Sequence, residues 1–297
     1  MIEFTDITKS FGATTALTGV SFQAPPGAVT GFLGPNGAGK TTALRILLGL
    51  ARPGTGAALI DGVRYADLPS PRRVVGAVVD SMGFSPGRTG RDHLRVVARA
   101  AGIARARVDE VLEFVDLMGA ADRGVGGYSL GMRQRLALAS ALLGDPRVLL
   151  LDEPANGLDP AGVAWLRRLL TDWAAQGRTV LFSSHLLAEV ESVADRIVII
   201  DHGRVVREAT AEELYGAERA VVVRATDGER LERLAEGEGW SFRRDGDGGL
   251  VIRGTSATEV GVAVARAGIA LAELSSGTST RQLEDLFLGL TSAESPV

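Results

Sequence analysis

The densest chemistry in the chain lies in Gly34-Pro35-Asn36-Gly37-Ala38-Gly39-Lys40-Thr41-Thr42. Gly34, Gly39, Lys40 and Thr41 fit the phosphate-binding pattern G-x-x-x-x-G-K-[ST]. Glycines let such a loop wrap closely and aim its N–H groups at phosphate oxygens, where side chains would block the approach. Lys40 can then reach β- and γ-phosphates, and the Thr41 hydroxyl can ligate Mg²⁺. The flanks suit that use. Ala28–Leu33 reads as a buried strand, and residues 41–48 read as a helix ended by Gly49. A helix N-terminus behind the loop adds roughly half a positive charge. The competing reading is a glycine-rich turn capping an ordinary helix, and the strand–loop–helix setting argues against it.

A phosphate loop needs a second acidic site for its metal. Val148-Leu149-Leu150-Leu151-Asp152-Glu153-Pro154 reads as a buried strand that delivers two acids at its carboxyl end. In open α/β sheets that edge is where ligands sit. Asp152 suits Mg²⁺ held through water, and Glu153 suits orientation and deprotonation of an attacking water. Taken alone, the two acids could equally cap the next helix.

The composition excludes several other classes. The 297 residues carry 32 basic and 36 acidic side chains, a net charge of −4, which argues against nucleic acid as a partner. With no cysteine, disulfides and thiolate metal sites are ruled out. The three histidines are His93, His185 and His202, too few for a histidine-rich metal centre. The only lysines are Lys9 and Lys40, so one of the two sits in the glycine loop. The N-terminus lacks signal-peptide character, and no apolar run approaches the ~20 residues of a membrane helix. The expectation is a soluble cytoplasmic chain that serves a membrane, if at all, through a partner.

The elements that must position these groups are legible in outline. Residues 2–7 alternate as a first strand, and Val20, Phe22 and Ala24 mark a second. Short strands follow at residues 57–60 and 74–79, and the character turns helical over about residues 84–144. Residues 93–101 form one helix, and Val108, Val111, Leu112, Val115 and Met118 lie at helical spacing in another. Strands return at residues 147–151, 179–182 and 197–200, apolar on both faces as in a covered parallel sheet. A helix over residues 161–176 ends before Gly177. These elements make one α/β domain over residues 1–215, a phosphate-loop core with antiparallel N-terminal strands and a helical insertion. Residues 217–297 read as a small β-α-β-β-α-β domain of ferredoxin-like order. It includes a capping box from Ser256 and Glu259 and a terminal helix over residues 280–290.

With these motifs in order, the chain resembles the ATP-binding cassette (ABC) transporter ATPases over about residues 1–210. Ser129-Leu130-Gly131-Met132-Arg133-Gln134-Arg135 is similar to their signature sequence. Asn156-Gly157-Leu158-Asp159 resembles their D-loop, and Ser183-Ser184-His185 their switch-histidine segment. The resemblance implies ATP and Mg²⁺ as ligands, with Glu153 and His185 catalytic. It implies a head-to-tail dimer in which Ser129, Gly131 and Asp159 of one copy close the other copy's site. Ser129 also fits an ordinary helix cap. Phe11 stands where the family places an aromatic that stacks on adenine, with a plain core residue as the rival. His93 and His202 are read as structural.

The departures are Leu130 and Met132 in the signature, Phe11 for the commoner Tyr, and Asp80 where the family carries a Gln. Asp80 could still meet Mg²⁺ through water. Within the family the pattern looks like bacterial drug- and bacteriocin-type exporters, which implies a separate membrane permease and a peripheral location beneath it. The alternative is a soluble cassette protein in translation or antibiotic protection. That group usually joins two cassettes through a charged linker, whereas one phosphate loop occurs here.

Overall fold

The order of strands in the chain differs from their order in the sheet, and that difference gathers the chemistry at one edge. The computed structural model describes residues 1–79, 83–215, 220–245 and 249–276. It divides into two compact units, Met1–Glu208 and one that begins at Ala209.

The first unit opens with β1 (Ile2–Phe11), β2 (Thr14–Ala24), β3 (Ala28–Leu33), α1 (Lys40–Leu47), β4 (Thr55–Ile60), α2 (Pro71–Val74) and β5 (Val75–Val78). Helices α3 (Gly90–Ala100), α4 (Ala106–Phe114) and α5 (Leu130–Leu142) follow. It then alternates through β6 (Val148–Asp152), α6 (Pro160–Ala175), β7 (Thr179–Ser184), α7 (Leu187–Glu191), β8 (Arg196–Asp201) and β9 (Arg204–Thr210). The main sheet has the order β5-β6-β7-β3-β8-β9, with β5, β6, β7, β3 and β8 parallel. β3 is therefore flanked by β7 and β8, and β7 also pairs with β6. Leu33 lies opposite Ser184, and Asp152 opposite Ser183, so three strands end side by side.

β2, β1 and β4 form a separate antiparallel sheet. Phe4 and Phe22 are register partners and stack at 4.4 Å, and Phe22 meets Phe32 of β3 at 4.9 Å. The apolar alternation of both strands thus turns onto the core that also buries Leu44 and Leu47 of α1. Burying side chains of that size stabilises by roughly 1.5–3 kcal/mol each. This core makes α1 a rigid mount for the loop before it.

Helix ends follow local chemistry. Thr89 caps α3 by accepting from Asp92 N at 3.0 Å, and Ser129 caps α5 by accepting from Met132 N at 3.2 Å. α4 ends earlier than its apolar spacing suggests, because Asp116 takes a left-handed conformation (φ 58°). Met118 therefore lies beyond the helix and is exposed, not on its buried face. Val74 belongs to α2 instead of the following strand, since Ser70-Pro71 starts a helical turn. β9 went unread in the sequence because most of its residues face solvent.

In the second unit come α8 (Ala211–Tyr215), β10 (Ala220–Ala225), α9 (Gly228–Gly237), β11 (Ser241–Asp245), β12 (Gly249–Arg253), α10 (Ala257–Arg266) and β13 (Leu271–Ser276). The sheet order β11-β12-β10-β13, with all neighbours antiparallel, is the ferredoxin-like arrangement. Val223, Leu231, Ile252, Val260 and Val264 form its core. Both halves of the Ser256–Glu259 capping box are made. The sequence-read helix over residues 280–290 lies outside the described residues, as does Asp80.

Candidate functional site

Strand β3 delivers the glycine loop, and close packing explains its glycines. A Cβ on Gly34 would lie 2.3 Å from the Ile200 carbonyl oxygen of β8. Gly39 has φ 107°, and a Cβ there would come within 2.7 Å of the Ala16 carbonyl oxygen. The loop is braced from outside as well. Gly203 N donates to Ala38 O at 3.1 Å, and Gly203 O accepts from Thr18 N at 2.8 Å. The β8–β9 turn thus links the loop to β2, an arrangement that sequence reading did not find.

Lys40 and Thr41 open α1 and meet the acids of β6. The Lys40 ammonium is only 6% exposed; it donates to Gly34 O at 2.6 Å and Pro35 O at 3.1 Å. Its Nζ also lies 3.4 Å from Glu153 Oε1. A buried ammonium needs partners of this kind to stay charged. Thr41 Oγ1 donates to Asp152 Oδ2 at 2.7 Å. The other carboxylate oxygen of Glu153, Oε2, lies 2.8 Å from His185 Nδ1. Lys40, Glu153 and His185 therefore form one continuous contact chain, and Thr41–Asp152 runs beside it.

Glu153 has φ 48°, a left-handed conformation unusual for a side chain of its size. Its amide is satisfied by Ser183 Oγ at 3.0 Å, and the Ser183 hydroxyl donates to Asp152 Oδ1 at 2.5 Å. Ser183 is fully buried at the end of β7. The next residue, Ser184, accepts from Gly34 N through its carbonyl at 3.2 Å. The last residues of β7 thus touch the loop, both acids and His185. A polar Ser-Ser pair closing an apolar strand was the signal available in the sequence.

The remaining sequence-predicted residues fall into two places. Gly37 (φ 85°) and Asn36 are exposed at the loop tip, Ala38 is buried, and Thr42 lies in the first turn of α1. Phe11 is 52% exposed with Lys9 Nζ 4.8 Å from its ring centroid, so it is a surface aromatic, not a core residue. Ser129, Gly131 and Asp159 belong to a second stretch. Gly131 packs so close to Gly157 that a Cβ would sit 3.1 Å from Gly157 O, and Asp159 caps α6 by accepting from Gly162 N at 2.8 Å. Tyr128, buried and donating to Ala120 O at 2.7 Å, anchors the approach to Ser129. Burial, first, pushes its phenol pKa above the usual 10.0. Among the described residues, no hydrogen bond or ion pair joins Ser129, Gly131 or Asp159 to Lys40, Thr41, Asp152 or Glu153. Gln134 Nε2 donates to Pro154 O at 2.9 Å, tying α5 to the loop after the acids.

Comparison with known proteins accords with this geometry. The family described as ABC transporter matches residues 17–156, and a domain of unknown function, DUF8746, matches residues 219–284. The bacitracin transport ATP-binding protein BcrA of Enterococcus faecalis is 37% identical over 222 residues, 74% of this chain and 72% of that protein. An uncharacterized ABC transporter ATP-binding protein, YdbJ of Bacillus subtilis, is 35% identical over 96% of this chain and 93% of its own length. A solved ATP-binding subunit of an ABC transporter superposes with a TM-score of 0.66 at 26% identity, covering 89% of this chain and 99% of that one. A dimeric bacterial ABC transporter cassette gives a TM-score of 0.63 at 26% identity, covering 71% and 99%.

Proposed function

We propose a function that rests on one membership: this chain belongs to the ABC transporter family of ATP-binding proteins. It is an ATPase, the motor subunit of an exporter, and it couples ATP binding and hydrolysis to a separate membrane subunit. The observation that carries this reading is the contact chain Lys40–Glu153–His185 beside Thr41–Asp152, at the mouth of a glycine loop.

ATP binds with its phosphates along residues 34–42. A γ-phosphate competes with Glu153 for Lys40, which leaves Glu153 Oε1 free to orient a water and take its proton. His185, already against Glu153 Oε2, stands beside the same phosphate. The backbone amides of the loop and the α1 N-terminus stabilise the charge that develops there. Phe11 stacks on adenine.

The donor set fits Mg²⁺ shared with a nucleotide. Thr41 Oγ1 and Asp152 Oδ2 supply hard oxygens, and among the described residues no group of three or more His, Asp or Glu could hold a metal alone. Bound there, Mg²⁺ would neutralise charge on the β- and γ-phosphates. Asp80 is proposed as an additional water-mediated ligand.

Ser129, Gly131 and Asp159 act on a second copy of the chain in a head-to-tail dimer. The similar bacterial cassette solved as a dimer supports that reading. The membrane partner docks a cytoplasmic helix over a cleft of about 240 Å³ lined by Leu50, Tyr65, Arg72, Val97 and Ile103, which has room for one or two of its side chains. No described helix is long and apolar enough to cross a membrane. Attachment to the inner membrane face is through that permease. The name of the bacitracin transport relative supports a role in transport over one in translation. The unit from Ala209 onward is accessory.

Replacing Glu153 with Gln tests the reading. Turnover should fall by ~10²–10⁴ while ATP is still bound. Undiminished turnover would remove Glu153 as the base.

A further inference from the structure

We propose that Ser183 is a positioning residue that holds Glu153 in its working conformation, a role that rests on the ATPase reading above. Glu153 sits at φ 48°, where a non-glycine residue is held by its surroundings and not by its own preference. The Ser183 hydroxyl spans both acids: it accepts from Glu153 N at 3.0 Å and donates to Asp152 Oδ1 at 2.5 Å. One hydroxyl therefore sets the direction of the Glu153 backbone and the rotamer of Asp152 together.

The rest of the strand end makes the hydroxyl hard to replace. Ser183 is fully buried, so water cannot enter without rearrangement. Asp152 and Ser183 are register partners on paired parallel strands, which fixes the separation that the hydroxyl bridges. Without it, the amide of a strained residue and one carboxylate oxygen lose their partner together, and unmade hydrogen bonds of this kind cost more than made ones return. Glu153 would then relax away from Lys40 and His185. Lys40 keeps its bonds to Gly34 and Pro35, and these do not pass through Ser183. The consequence is a split between chemistry and binding. Turnover depends on Ser183, and nucleotide affinity measured without Mg²⁺, which rests on Lys40 and the loop and not on Asp152, does not.

The test compares Ser183→Ala, the near-isosteric Ser183→Cys and the hydroxyl-retaining Ser183→Thr in the full chain. For Ala and Cys, kcat should fall about ten- to a hundredfold, the scale of lost charge-assisted hydrogen bonds. Binding of a fluorescent ATP analogue in the absence of Mg²⁺ should change by less than about threefold, and Ser183→Thr should restore most of kcat. Amide hydrogen exchange at Glu153, measured without nucleotide or metal, should accelerate in Ala and Cys and return in Thr. Should Ala fold poorly, Cys and Thr carry the comparison. Unchanged kcat with unchanged exchange at Glu153, in a chain whose wild type hydrolyses ATP, overturns the role of Ser183. A wild-type chain that fails to hydrolyse ATP overturns the ATPase reading instead.

Discussion

The two stretches that the sequence pairs as one site are built differently. Around Lys40 the polar groups interlock: Glu153 lies within 3.4 Å of an almost fully buried ammonium and 2.8 Å from His185, while Asp152 beside it accepts from Thr41. Among the described residues, no such network surrounds Ser129. Ser129 and Asp159 are exposed helix caps, Gly131 contributes its lack of a side chain, and Leu130 is 57% exposed. The first stretch holds the groups that the proposed binding and hydrolysis need; the second presents a helix N-terminus at the surface. A helix end placed in this way is what the proposed site shared between two copies would require.

Removing the hub of the interlocked stretch should have the largest effect. Lys40→Ala takes away the phosphate-binding ammonium and leaves Glu153 with only His185, so ATP affinity should fall about a hundredfold or more. Equilibrium binding of a fluorescent ATP analogue checks this. Changing the second stretch should give a different signature. Ser129→Arg puts bulk and charge on an outward helix end; turnover should fall by roughly thirtyfold or more, with ATP binding to the single chain unchanged. Equal losses of binding in both variants would break the distinction between the stretches.

A smaller effect comes from the helical region that carries the signature. His93 of α3 lies 4.9 Å edge-on to Phe84, and burial, then the charges of Arg88 and Arg72, lower its pKa below 6.5. The folded chain therefore holds His93 neutral where the unfolded chain would protonate it. Stability is fully present above pH 6.5 and is lost as pH falls below it. Thermal unfolding followed from pH 7.5 to 5.5 should show stability falling with pH, and His93→Gln should flatten it. ATP affinity at pH 7.5 should not respond to that change.

The chemistry of the site was largely legible, because it resides in residue types at fixed spacing. Gly34, Lys40, Thr41, Asp152, Glu153 and His185 were named from the sequence and converge at the ends of β3, β6 and β7. What holds them was not legible. Ser183, Gln134 and Gly203 act through contacts between residues 20 to 185 apart in sequence, and only the tertiary fold brings those together. Periodicity also misjudged the end of α4, because a left-handed Asp116 overrides a helical pattern of apolar residues. The exposed edge strand β9 escaped for the complementary reason. Its burial pattern carries little of the alternation by which strands are read.

The central claim is that each nucleotide site takes Lys40 from one copy and Ser129 from another. Mixing purified Lys40→Ala and Ser129→Arg chains tests it most directly, since each variant alone should be nearly inactive. In a mixed dimer, the Ser129→Arg chain supplies an intact phosphate loop and the Lys40→Ala chain an intact signature. Turnover of an equal mixture should rise to about a quarter of wild type, from random pairing with one whole site per mixed dimer. A mixture no more active than its parents would contradict the shared site.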